Sequence, residues 1–312
     1  MHGLILADIE GIVGIENFLD DVKNSKEIYT REIEVYINAL LRNDVKKITV
    51  CDSHSKGDMI LPRVISNKVN LVSRTENISF DINYDFAIMV GYHGMSESPG
   101  IFPHTLRFDF KHIRIGEIPI GEVELYSRWL GHHGIPVILV TGDREATYEA
   151  NCFNAYRNTC CSRSKFVKKE DAGLIYRKLS LSVDMAMQLD KNKCLSIDDD
   201  ETSIEFYNPD NIGTLETEGY KSKNGRLIFK NCTDIVSHIF SLVESMNRIN
   251  AHYLEINSEF LKNIRELAKN FSREDVEKTN IMPLLRKNLM FLDEESKKEI
   301  MSALQKLAFQ PK

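Results

Sequence analysis

The sequence contains no Cys-x-x-Cys pair, no run of the roughly 18 apolar residues that a membrane-spanning helix requires, and no positive net charge. Each absence excludes a class. Six cysteines at 51, 152, 160, 161, 194 and 232 have no disulfide-scaffold spacing, and the vicinal Cys160-Cys161 reads as two ordinary thiols. Reduced cysteines belong to the cytosol. The N-terminus also lacks the basic, apolar and small-residue zones of a secretory signal. A cytoplasmic protein without a membrane partner is therefore expected. The net charge of −6 weighs against nucleic acid as a partner. Missing too are a Gly-x-Gly-x-x-Gly turn, a Walker loop, a Gly-x-Ser-x-Gly elbow and a His-Glu-x-x-His helix, so no common nucleotide, serine-hydrolase or zincin signature applies. There are no repeats and no low-complexity segments. With 42% hydrophobic and 28% charged residues in 312, the composition is that of an ordinary globular chain of one large domain or two smaller ones.

What is present lies at the ends of short apolar runs. Leu4-Ile5-Leu6-Ala7 reads as a buried strand and breaks directly into Asp8-Ile9-Glu10-Gly11. Two carboxylates one residue apart repel unless a cation or a proton is shared between them. Ile48-Thr49-Val50 leads in the same way into Cys51-Asp52-Ser53-His54, and Phe86-Ala87-Ile88-Met89-Val90 into Gly91-Tyr92-His93. Pro103-His104 follows on a Pro- and Gly-flanked loop, and Ile118-Pro119-Ile120-Gly121 places Glu122 at a helix start. The carboxyl ends of strands are where open α/β sheets bind ligands.

Strand-like runs near 3–7, 47–51, 69–73, 85–90 and 136–140 alternate with helical patterns over Glu27 to Leu41, Glu122 to His132, Asp143 to Asn151 and Lys168 to Gln188. This alternation predicts an α/β fold: a three-layer domain with a central mixed or mostly parallel sheet. After residue 200 the pattern changes. Ser203 to Tyr207 alternates like a half-buried strand, Asn208-Pro209-Asp210-Asn211 is turn chemistry, Leu227-Ile228-Phe229 is a short strand, and Thr233 to Leu254 is a long helix. The expected division is a catalytic α/β domain over 1–200, a smaller α+β part over 201–255, and a charged helical C-terminal extension over 256–312.

Asp8, Glu10, His54, His93 and Glu122 form the candidate ligand set. Carboxylates with neutral imidazoles suit zinc or manganese better than calcium or magnesium. Five ligands exceed what one tetrahedral zinc needs and fit two ions bridged by a carboxylate. His104 is the candidate for proton transfer or oxyanion stabilisation. Each residue alone has a plainer reading. Asp8 or Asp52 would serve as a helix cap, Glu122 as a first-turn acid favoured by the helix dipole, and His93 as a satisfied loop histidine. Asp52 is left out of the set for that reason. His112 and the adjacent pair His132-His133 read as structural or surface residues. Co-occurrence within 122 residues is what favours the metal.

In this order the motifs resemble the DppA family of D-aminopeptidases, dinuclear zinc peptidases. The resembling segments are Asp8-Ile9-Glu10-Gly11, Asp52-Ser53-His54-Ser55, Gly91-Tyr92-His93 with Pro99-Gly100 and His104, Gly121-Glu122, Thr141-Gly142-Asp143 and Ser162-Arg163-Ser164. The likeness runs from about residue 3 to 255. It implies that Asp8, Glu10, His54, His93 and Glu122 ligate two zinc ions per subunit, with Asp8 bridging, and that His104 is catalytic. It also implies removal of the N-terminal residue from short peptides, D-Ala-type or peptidoglycan-derived, in a ring-based homodecamer. Two positions depart from the family pattern: Leu6 stands where a serine is common, and Cys51 where an asparagine is familiar. The rival readings are a metal-dependent hydrolase of another amide, ester or phosphoester bond, and a non-catalytic degenerate member. Lys56 and Arg107 are the only basic residues beside the ligand motifs, which gives little support to a phosphate clamp.

Overall fold

The computed structural model describes residues 1–15, 22–163 and 172–256. Six strands, β1 (His2–Ala7), β2 (Lys47–Asp52), β3 (Val69–Ser73), β4 (Phe86–Tyr92), β7 (Val137–Asp143) and β8 (Asn158–Arg163), form one sheet in the order β3-β2-β1-β4-β7-β8, every pair parallel. The expected α/β architecture is present. β1, β4 and β7 are apolar on both faces because both faces are covered. Alternation along β1 sends Ile5 and Ala7 towards helices α1 (Val22–Arg42) and α4 (Ala172–Ala186), where they pack with Tyr29, Ile33, Leu40, Ile175 and Leu179. Leu4 and Leu6 face the other way, towards α2 (Glu122–His132) and α3 (Arg144–Phe153).

That second face also carries a five-stranded antiparallel sheet. Its order is β10 (Ser222–Lys223), β11 (Arg226–Phe229), β9 (Thr202–Phe206), β5 (Phe110–Ile115) and β6 (Ile118–Ile120). It draws β5 and β6 from before residue 200 and β9 to β11 from after it. α5 (Asp210–Thr217) and α6 (Cys232–Ile256) pack beside it, and α6 lies against α2. Asn208-Pro209 is the turn read from the sequence, but it opens α5 directly. Of the expected helix over Lys168 to Gln188, residues up to 171 lie outside the described residues, as does the expected C-terminal extension from residue 257 onward.

The chain runs outward from β1 to β3, then crosses back to β4 on the other side of β1. The strand order therefore reverses between β1 and β4, and the cleft above such a point is the preferred ligand position in an open sheet. Glycines make the strands' upper ends fit there. Side chains at Gly11 and at Gly142 would both collide with the Tyr92 carbonyl oxygen, so three chain segments meet backbone to backbone beneath the cleft.

Beneath the same region Glu32 of α1 is fully buried. Its carboxyl accepts the Val13 amide at 3.0 Å and the Tyr36 hydroxyl at 3.3 Å. Burial pushes its pKa up to about 8 in spite of those bonds. Because the folded pKa lies above the unfolded one, the stability tied to the neutral acid is complete below about pH 4.5 and is lost as pH rises through about 8. Glu32→Gln should flatten this dependence. The parent is expected to lose on the order of 2–4 kcal/mol relative to the variant between about pH 5 and pH 8 in urea unfolding. Parallel pH profiles for the two proteins would disprove the assignment.

Candidate metal centre

The switch-point cleft is where the sequence motifs deliver their side chains. Asp8 and Glu10 follow β1, His54 follows β2, His93 follows β4, and Glu122 is the first residue of α2. The His54 ring Nδ1 lies 3.3 Å from Asp8 Oδ1 and 3.2 Å from Glu10 Oε2. His93 Nε2 lies 3.4 Å from both Asp8 Oδ2 and Glu122 Oε1. His104 Nε2 is 3.9 Å from Glu122 Oε1, and its ring stacks on that of His93 at 4.0 Å. All five residues of the expected ligand set and His104 are thus brought together. Asp52 is not among them. Its carboxylate accepts the amides of His54, Met59 and Ile60, so it organises the loop after β2 rather than capping a helix. His112 pairs with Glu97 and Glu205, and His133 stacks on Phe80; neither histidine joins the cluster.

Among the described residues, three sets of ligand atoms lie within 4.8 Å of one another: Asp8 with Glu10 and His54, Asp8 with His93 and Glu122, and Glu10 with His93 and His104. The centre is buried, and its charges are set against one another. Burial, then repulsion from Glu10, pushes the Asp8 carboxyl up to about 7. Burial also works against ionised Glu10, but His54, His93 and His104 outweigh it and hold Glu10 well below the usual carboxylate range. For His54 and His93, burial opposes the charged ring, yet the surrounding carboxylates raise both. His104 is driven down to about 4 by burial and then by the charge on His93.

The donor set fits a divalent cation. Asp8 Oδ2, Glu10 Oε2 and His93 Nε2 are buried and make no well-directed hydrogen bond, although ring nitrogen and carboxylate oxygen lie 3.2–3.4 Å apart, an arrangement that buried polar atoms otherwise avoid. The far side of the His93 ring is fixed: its Nδ1 donates to the Gly94 carbonyl at 3.0 Å, the outer bond typical of a metal-binding imidazole. Glu122 is likewise aimed, its Oε1 accepting the Leu106 amide at 2.7 Å.

Several supporting groups carry no local sequence signal as metal neighbours. Ser162 Oγ bonds the carbonyls of Gly11 and Gly142 at 2.8 and 3.0 Å, and Arg163 Nη1 donates to the Glu10 carbonyl at 2.7 Å. They fasten the turn after Glu10 to β8, which accounts for the first two residues of the Ser162-Arg163-Ser164 segment; Ser164 lies outside the described residues. Phe108 stacks on His104 at 4.6 Å.

The fold and this cluster define an α/β protein with a buried carboxylate–imidazole centre of metal-ligand type. A family model described as D-aminopeptidase, peptidase family M55, matches residues 1–172, and the chain belongs to that family. A D-aminopeptidase of Bacillus subtilis (strain 168) is 31% identical over 156 residues, 46% of this chain and 56% of that protein. The match therefore spans little more than half the length of that curated relative. Similar in structure is the Zn-dependent D-aminopeptidase DppA from Bacillus subtilis, described as a self-compartmentalizing protease. Its TM-score is 0.71 at 24% identity, covering 79% of this chain and 98% of that one. At that identity the likeness establishes the fold. Among the described residues no helix is long and apolar enough to cross a membrane.

Proposed function

We propose that this chain is a zinc aminopeptidase that binds two ions per subunit and removes the N-terminal residue from short peptides, with preference for a D-residue there. The observation that carries the two-ion reading is the position of Asp8, which belongs both to the group with Glu10 and His54 and to the group with His93 and Glu122. A carboxylate shared in this way is what a bridged pair of ions requires. The family, and the names of the relatives, support the substrate class.

In this reading Asp8, Glu10 and His54 would hold one ion and Asp8, His93 and Glu122 the other. Bound there, zinc supplies Lewis-acid activation of a carbonyl and of water. The chain supplies the proton transfer. His104 Nδ1 lies 2.9 Å from the Phe102 carbonyl, which can only accept, so Nδ1 carries the proton and Nε2 is free to take one. Burial, then the neighbouring His93, displaces its pKa down to about 4, so the ring is neutral at ordinary pH. His104 then receives a proton from the attacking water at Nε2 and returns it to the departing amine, while stacking on His93 and Phe108 fixes the plane of the ring. A cytoplasmic, ring-based homodecamer and acceptance of manganese complete the proposal.

The test combines elemental analysis with hydrolysis of matched D-Ala and L-Ala dipeptides by the same sample. About two zinc ions per chain with faster turnover of the D-peptide is the expected result. Failure to bind zinc or manganese, with no turnover after either is supplied, would refute the reading. Light scattering of the same sample measures the oligomer.

A further inference from the structure

The segment from His93 to Leu106 presents both His93 and His104, and its backbone is unusual. Among the described residues, seven non-glycine positions have left-handed φ, and three of them, Glu97, Phe102 and Leu106, fall in this segment. Such conformations persist only where surrounding contacts over-determine them. Asp143 supplies many of those contacts. It is buried at the junction of β7 and α3, and one of its oxygens, Oδ1, accepts the Ala146 amide at 2.8 Å as an ordinary helix N-cap. The other, Oδ2, does something a cap does not need. It accepts the Gly94 amide at 3.3 Å and the Ile101 amide at 3.0 Å, from two points on the histidine-bearing loop.

Gly94 is held through both of its backbone groups, because its carbonyl accepts the His104 amide at 3.3 Å. The path from Asp143 to the backbone of His104 is therefore two hydrogen bonds long. Glu149, also on α3, adds a third grip through the Met95 amide at 2.8 Å. Loop glycines allow the approach. A side chain at Gly100 would sit 2.8 Å from Asp143 Oδ2, and one at Gly94 would sit 2.7 Å from the Glu145 Cβ.

We propose that Asp143 is a positioning residue for the reaction: its second carboxylate oxygen holds the 93–106 loop so that His104 stacks in register on His93 of the ligand cluster. The catalytic consequence rests on the function proposed above, whereas the grip on the loop does not. Asp143 touches none of the reacting groups; it acts through the backbone at Gly94 and Ile101. Bonds from amides to a buried carboxylate are stronger than those to a neutral acceptor, which suits a loop held against its own backbone strain.

Asp143→Ser separates the two roles. Serine is a good N-cap, so α3 keeps its start, but it has no second oxygen for the loop. In the zinc-loaded protein the variant should retain the parent's zinc content, lose only a few degrees in Tm as two loop amides lose their buried acceptor, keep KM within about twofold, and lose about ten- to a hundredfold in kcat. Hydrogen exchange should show faster exchange over residues 94–101 with the α3 amides unchanged. Asp143→Asn, which keeps the shape and one acceptor oxygen, is the second variant should the serine protein fold poorly, and the same loop-specific change is expected. Unchanged exchange over 94–101 overturns the proposal, as does a fall in kcat matched by an equal loss of zinc or accompanied by faster exchange throughout the domain. Should the parent protein prove not to hydrolyse peptides, the proposed function fails while the exchange measurement still decides whether Asp143 holds the loop.

Discussion

Replacing His104 with alanine is expected to lower kcat by about 10²- to 10⁴-fold while leaving bound zinc near the parent value. The expectation follows from how the ring is held. Its Nδ1 is committed to the Phe102 carbonyl, and its two faces are stacked against His93 and Phe108. Only Nε2 is left to do chemistry. The metal measurement is essential because His104 also falls into a ligand group with Glu10 and His93. A variant that loses zinc in step with activity would make His104 a ligand and would refute the proton-transfer role. His104→Gln, which is close in size but cannot take up a proton, should be as inactive as the alanine variant.

The second large effect is expected at Asp8. Asp8→Asn should reduce zinc from about two ions per chain to less than one and bring peptide hydrolysis to background, because both proposed ion groups use this carboxylate. Loss of any other ligand damages one of these two groups first. Stability should change in opposite directions with and without metal. With zinc present the parent gains binding free energy, about 2.7 kcal/mol for each site at a hundredfold excess over Kd, and the variant does not. After chelation the parent is left with Asp8 and Glu10 crowded together in a buried site, and the asparagine variant is the more stable of the two. Thermal unfolding with and without a chelator measures both. If the parent and the variant respond equally to chelation, Asp8 is not shared between ions.

The site was legible in the sequence because its residues occupy one kind of place. Asp8, Glu10, His54 and His93 each follow an apolar run, and strand ends in a parallel sheet converge whatever their separation in the chain. Glu122 was legible because α2 begins and ends where its periodicity says, from Glu122 to His132. What could not be read was whatever depends on pairing between distant segments. β5 bonds to β9 across more than 80 residues of chain, and nothing local in either strand names the other. β8 is polar, lies at the sheet edge and has no clear alternation, so it escaped notice. Asp143 reads as the opening of a helix, which it is; its second oxygen's bonds to Gly94 and Ile101 leave no trace in spacing. The same holds for Asp52, whose acceptor role towards Met59 and Ile60 depends on a loop closing over it.

The reversal of strand order between β1 and β4 also governs when the candidate ligands come together. A chain emerging from the ribosome presents Asp8, Glu10 and His54 early, but β1 lacks its neighbour β4 until residue 92 is out, and Glu122 comes later still. Central parallel strands are late to settle because long loops must close before they pair. A growing chain therefore offers an ion at most a partial, mobile set of donors. The full donor set comes into being only with the completed domain, so on the proposed reading a chain that stalls or misfolds before α2 docks would lack the complete site for an ion, and a finished chain would be the one that zinc stabilises.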